Sequence, residues 1–269
     1  MDNKKKLIET IHFIRTKTNI KPKCAIILGS GLGDFAEYLE NKDVIQNSDI
    51  PHYPKSTVVG HKGKLVFGFL NKKPILAFQG RIHYYETGDL NTILYPILVA
   101  HRLGIRKIIL TNAAGGVNRN FHPGDLMLIK DHINLTFETA YSVLQESKYS
   151  LKGYVYDKDL IKTAVDIADE KNIPLREGIY VGVKGPSYET ASEIEMIRRI
   201  GGDAVGMSTV NEATLASLLG MKVIGISCIT NYATGVTNLK LSHAEVTEVA
   251  NKVKHRFSEL IKAIFFKIC

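Results

Sequence analysis

Short apolar runs rich in β-branched residues alternate with longer amphipathic segments along the whole chain, and this alternation restricts the fold more than any other feature. Strand-like runs fall at 23–29, Lys64–Leu70, Pro74–Phe78, Lys107–Thr111, Asp125–Lys130, Gly178–Lys184 and Lys222–Thr230. Helix-like segments lie at about 3–18, 91–103, 158–171, 190–200, 210–220 and 242–265. In the last of these Val246, Val249, Val253, Phe257, Leu260 and Ile261 recur at helical spacing. Strands interleaved with helices predict an α/β fold: a mixed, largely parallel β-sheet flanked by helices on both sides. No repeat, low-complexity tract or linker divides the 269 residues, so one domain spanning 1–269 is expected. In such sheets ligands bind beyond the carboxyl ends of the strands. The segments just after the strands are polar and glycine-bearing: GSGLG, QGRIHYYETG, TNAAGGVN, GPSYET, GMST and TNYATG.

Charge and cysteine content narrow the function classes. The formal net charge is +8, but the lysines are scattered and only Lys4–Lys6 form a short run, with no interleaved aromatic stripe. A solvated surface is expected, with no nucleic-acid partner; a modest positive field favours a small anionic substrate. No run approaches the ~20 apolar residues of a membrane span, and Glu9, His12 and Arg15 interrupt any signal-like stretch. Cys24 and Cys228 lie inside apolar runs and Cys269 ends the chain, which predicts free thiols in a reducing, cytoplasmic compartment.

The chemistry-bearing residues sit in the post-strand segments. In KCAIILGSGLGDF the glycines around Ser30 allow amide N–H groups to converge on an anion, and a helix opening at Asp34 would add its dipole. The same glycines also serve a purely steric turn. The motif is not a dinucleotide fingerprint, because Asp34 occupies the position of the last glycine. Arg81 and His83 stand two apart after the strand PILAF and project to one side if that strand continues. An arginine fork and an imidazole suit phosphate oxygens. His61 lies between glycines in VGHKG, either as a loop cover for an anion or as a surface histidine. Ala113 and its small neighbours in TNAAGGVN let backbone approach a ligand or simply pack on other backbone. In GPSYET, Glu189 beside Tyr188 offers an acceptor and an aromatic face to a heterocycle, or else complements a helix capped by Ser187 or Thr190. Met207 and Ser208 give an apolar wall and a hydroxyl at a helix start; Asn231 gives an amide that donates and accepts. His243 opens the final helix-like segment. No HExxH, Cys/His ligand spacing, Walker lysine or GxSxG elbow is present.

Taken together and in order, GSGLG, VGHKGKLVFG, QGRIHYYETG, TNAAGG, GDLMLIKDHIN, GPSYET, DAVGMSTVNE, GISCITN and LSHAEV resemble the trimeric purine nucleoside phosphorylases, over about Lys23 to Phe265. The resemblance implies a pentosyltransferase that uses no cofactor or metal, takes phosphate as co-substrate and assembles as a homotrimer. It implies a phosphate site of Ser30, Arg81, His83, the Ala113 backbone and Ser208, closed by His61. Ribose would meet Tyr85, Met207 and His243; the purine would lie near Tyr188 and bond to Glu189 and Asn231. Asn231, His83 and Glu189 would carry the chemistry. Asn231 stands where the related methylthioadenosine phosphorylases have aspartate-containing sequence, which makes a 6-oxopurine the expected base and a 6-aminopurine the alternative. The segment 133–157 departs from the family: it is shorter and lacks the NPL and RFPDM stretches. An aromatic from this loop covers a neighbour's ribose in the family. Tyr149 holds that place by counting back from Tyr156, with Phe137, Tyr141 and Tyr154 as alternatives.

Overall fold

Cys24–Leu28 is buried at every position, as a strand covered on both faces must be. It is β1 of a computed structural model that describes residues 3–55, 62–144, 153–237 and 243–269. Helix α1 (Asn3–Lys17) precedes it. A six-residue 3-10 turn (Gly33–Tyr38) follows, then β2 (Glu40–Gln46), β3 (Lys64–Leu70), β4 (Lys73–Gln79), the single turn α2 (Tyr84–Thr87) and α3 (Leu90–Arg102). The second half runs β5 (Lys107–Gly116), β6 (Leu126–Asn134), α4 (Lys158–Glu170), β7 (Leu175–Gly182), α5 (Ala191–Arg199), β8 (Ala204–Gly206), α6 (Val210–Leu218), β9 (Lys222–Tyr232) and α7 (His243–Ile268).

Among the described residues nine strands form one mixed sheet in the order β2-β3-β4-β1-β5-β8-β7-β6-β9, and a further β5–β9 pairing closes five of them into a ring. Strands β4, β1, β5 and β9 run parallel to one another. Strands β6, β7 and β8 run parallel to each other and opposite to that set. Apolar side chains fill both faces. Ile27, Leu94, Ile97 and Leu215 belong to the core under α3 and α6, while Ile26, Leu160, Phe257 and Leu260 belong to the core under α4 and α7.

Several boundaries differ from the sequence reading. TNAAGG and the start of TNYATG are not loops: β5 runs on to Gly116 and β9 to Tyr232, because each pairs with the other out to Gly116↔Tyr232. β6 likewise extends to Asn134. β4 stops at Gln79, so Arg81 and His83 lie beyond it and not on a continued strand. No α-helix opens at Asp34; a short 3-10 turn stands there, and Asp34 is held below the usual carboxylate range by hydrogen bonds from Lys254 and Lys62. The expected free thiols are also corrected. Cys24 and Cys269 form a disulfide, because the end of α7 brings their Cα atoms to 6.2 Å, and only Cys228 is free.

Candidate functional site

One side of the site starts where β1 ends. Gly29 N–H donates to Thr111 Oγ1 at 3.1 Å, and that hydroxyl donates to Ile27 O at 2.9 Å, tying the glycine turn to β5. A Cβ at Gly29 would stand 2.7 Å from the Thr111 carbonyl, so only glycine lets the two strand ends approach this closely. Ser30 is thereby carried to the mouth of a cavity with about 740 Å³ of empty space, part of it open to solvent.

Arg81, only 4% exposed, reaches the same cavity from beyond β4. Its Nη1 donates to Thr111 O at 2.7 Å and to Ser208 Oγ at 3.1 Å. Its Nε donates to Glu212 Oε1 at 3.3 Å, and Nη2 stands 3.3 Å from Glu212 Oε2. A buried guanidinium needs such a partner, since an unpaired buried charge costs several kcal/mol, roughly 3–5 when one partner is lost. His83 precedes α2; Glu86 Oε1 accepts from its backbone N–H at 2.6 Å and lies 3.2 Å from its Nδ1. The His83 ring stacks on Tyr85 at 5.0 Å and 9°. Burial, with the Glu86 carboxylate nearby, raises the Tyr85 phenol.

The opposite wall is assembled across strands. Register pairs Gly115 with Asn231 on one side and with Val205 on the other, so Asn231, Gly115 and β8 meet at one level of the sheet. Asn231 Nδ2 donates to Tyr232 O at 3.0 Å and its Oδ1 accepts from Thr230 Oγ1 at 2.9 Å. This fixes the amide with Nδ2 as a donor whose second hydrogen remains for a ligand. Glu189 lies just ahead of α5. The capping box of that helix belongs to Thr190 and Glu193, which leaves Glu189 out of the cap. Burial raises its carboxyl above the usual 4.5, and its buried Oε1 has no hydrogen-bond partner among the described residues.

One cavity is thus lined by Ser30, Arg81, His83, Ala113 and Ser208, by Tyr85 and Met207, and by Tyr188, Glu189 and Asn231. These span nearly all the post-strand segments singled out in the sequence. Ser30 and Arg81 lie beyond the carboxyl ends of β1 and β4, whereas Ala113 and Asn231 lie within the extended ends of β5 and β9. Residues after β7 and β8 arrive although those strands run the other way, because the ring closure turns their ends toward β5. His61 and Tyr149 lie outside the described residues. His243 begins α7, but its side chain is also outside what is described. Phe137 and Tyr154 are exposed at 89% and 61%, and Tyr141 is exposed too.

Sequence reasoning missed Asn112, Val205, Thr230 and Ala233 in the lining, and Glu212 and Thr209 behind it. The spacing Thr209-Val210-Asn211-Glu212 is a capping-box signature that marks the start of α6. No sequence signal links Glu212 to Arg81, 131 residues away. No group of three His, Cys, Asp or Glu among the described residues could hold a metal ion, and no helix there is long and apolar enough to cross a membrane.

Residues 23–265 match the family described as the phosphorylase superfamily. The chain is 46% identical to purine nucleoside phosphorylase 1 of Bacillus subtilis over 256 residues, 94% of either sequence. Among solved structures it is similar to Schistosoma mansoni purine nucleoside phosphorylase in complex with inosine, with a TM-score of 0.89, 33% identity and coverage of 98% and 97% of the two chains. The adenosine complex of that enzyme matches with the same TM-score, 34% identity and 98% coverage of each chain.

Proposed function

The chain belongs to the phosphorylase superfamily, among its purine nucleoside phosphorylases, and on that footing we propose that it catalyses reversible phosphorolysis of inosine and guanosine and their 2′-deoxy forms. The products are the free purine and (deoxy)ribose 1-phosphate. The observation that carries this reading is a single cavity whose lining holds Ser30, Arg81 and Ser208 together with Glu189 and Asn231. An oxyanion and a flat heterocycle can therefore flank one sugar.

In the proposed reaction a phosphate oxygen attacks the ribosyl C1′ as the N-glycosidic bond breaks, through an oxocarbenium-like transition state. Ser30, Arg81, His83, the Ala113 backbone and Ser208 hold the phosphate, and His61 closes over it. Holding the nucleophile in place replaces a bimolecular encounter with a positioned one, an effect on the order of 7–11 kcal/mol at best. The electron pair of the broken bond leaves with the base. Asn231 Nδ2 donates to N7 or O6, a bond that strengthens as negative charge builds there. Glu189 accepts from N1–H and, for guanine, from the 2-amino group. Tyr85, Met207 and His243 contact the ribose, Tyr188 faces the purine, and Tyr149 of a neighbouring subunit covers the sugar.

The proposal includes no cofactor, inorganic phosphate being a co-substrate, and no nucleic-acid partner. It treats 1–269 as one catalytic domain, assembled as a homotrimer and working in the cytoplasm. Assembly rests on the family resemblance; the compartment rested on free thiols, an argument that the disulfide removes. A 6-aminopurine preference is the second reading, favoured by the adenosine held in a similar enzyme. The test follows inosine conversion to hypoxanthine with and without inorganic phosphate. Cleavage only with phosphate supports phosphorolysis; base release in its absence makes the protein a hydrolase and overturns the reading.

A further inference from the structure

Behind the cavity, outside its lining, a single carboxylate touches two of the elements that face the oxyanion side. Glu212, in the first turn of α6, is 6% exposed. Its Oε1 accepts from Arg81 Nε at 3.3 Å, and its Oε2 stands at ion-pair distance, 3.3 Å, from Arg81 Nη2. The same Oε2 accepts from the Thr209 backbone N–H at 3.0 Å. Thr209 is buried at φ +73°, a left-handed conformation that a β-branched residue adopts only where its surroundings impose it. Asn112 Nδ2 secures the other end of that residue, donating to Thr209 Oγ1 at 2.9 Å. Ser208, which accepts from Arg81 Nη1, is the residue immediately before this strained turn.

We propose that Glu212 is a positioning residue for the oxyanion subsite, its one carboxylate aiming both Arg81 and the Ser208 turn into the cavity. Capping α6 needs only the bond to Thr209 N–H; the second oxygen is turned to the guanidinium of a segment 131 residues away. Arginine has a long, flexible side chain, and clamping it during folding removes an ordering cost that phosphate binding would otherwise meet. The carboxylate also subtracts positive charge from the subsite, so orientation and charge predict opposite results when Glu212 is neutralised. The geometry favours orientation.

This inference rests on the phosphorolysis reading for its kinetic arm alone. Glu212→Gln keeps the shape and an oxygen for Thr209 N–H but loses the charged pairing with Arg81. The expected result is a KM for inorganic phosphate raised about 10- to 100-fold, with the inosine KM within about twofold, because misplaced binding groups cost rates of that order. Glu212→Asp, which keeps the charge at shorter reach, should fall between. In parallel, the rise in melting temperature caused by inorganic phosphate alone should shrink in both variants. If the native protein shows no phosphate-dependent cleavage, the functional reading falls, and the phosphate-induced melting shift still decides the role of Glu212. A phosphate KM or melting shift that is unchanged or improved in Glu212→Gln overturns the proposal. So does failure of both variants to melt cooperatively, which would make Glu212 a purely structural residue.

Discussion

Glu189 and Asn231 both line the cavity, and their surroundings set what each can donate or accept. Burial raises the Glu189 carboxyl above 4.5, so the folded chain binds that proton more tightly than the unfolded one. Its contribution to stability is therefore present at low pH and lost as pH rises through the folded pKa. Activity runs the other way, since the ionised form accepts more strongly from a purine N1–H than the protonated acid does. The acidic limb of the kcat/KM profile for inosine should lie above pH 4.5 and disappear from the residual activity of Glu189→Gln; an unchanged limb would assign it to another group. At Asn231 the bonds to Thr230 and Tyr232 fix Nδ2 as the donor. Asn231→Asp replaces that donor with acceptors, which suit a 6-amino group. Steady-state comparison should show inosine turnover falling by roughly 100-fold, the usual cost of losing one transition-state donor, while adenosine gains relative to it.

The pairing of β5 with β9 decides where Asn231 stands. Gly115 lies opposite it, and a Cβ at Gly115 would come 3.3 Å from Asn231 Nδ2 and 3.5 Å from Ala233. Gly115→Ala should lower kcat/KM for inosine about tenfold through a displacement of a few tenths of an ångström. Its melting temperature should stay within a few degrees of the parent, because the strand ladder is untouched. A loss of stability with unchanged kinetics would show that the glycine serves packing alone. The extended strands also explain a misreading of sequence. Ala113–Gly116 has turn-like composition, yet it is strand because β9 pairs along all of it and β8 pairs with Gly115 and Gly116. The same holds for β2 and the three-residue β8, whose sequences carry little strand signal and whose existence depends on neighbours.

At the scale of the molecule, α7 ties the turn after β1 to the amino end of that strand. Lys254 Nζ donates to Asp34 Oδ2 at 2.6 Å near the glycine turn, and Cys269 closes a covalent link to Cys24 across 245 residues of sequence. Burial pushes the Cys228 thiol up to about 12, which keeps it out of thiol exchange. Reduction, or Cys269→Ser, should cost on the order of 2–5 kcal/mol, a fall in Tm of roughly 5–15 °C at the usual conversion. Calorimetry with and without dithiothreitol checks this; coincident transitions would mean that the link adds nothing. The fold class and most of the cavity-lining side chains were legible in the sequence, because strand and helix periods are local and glycine-bearing segments after strands punctuate them. Ser30, Arg81, Ala113, Glu189, Ser208 and Asn231 could be picked out for that reason. What the sequence could not contain was distance between remote residues. The ring closed by β5 and β9, the Cys24–Cys269 link and the Glu212–Arg81 pair each join segments far apart in the chain, and only packing of the whole sheet and its helices brought them within reach.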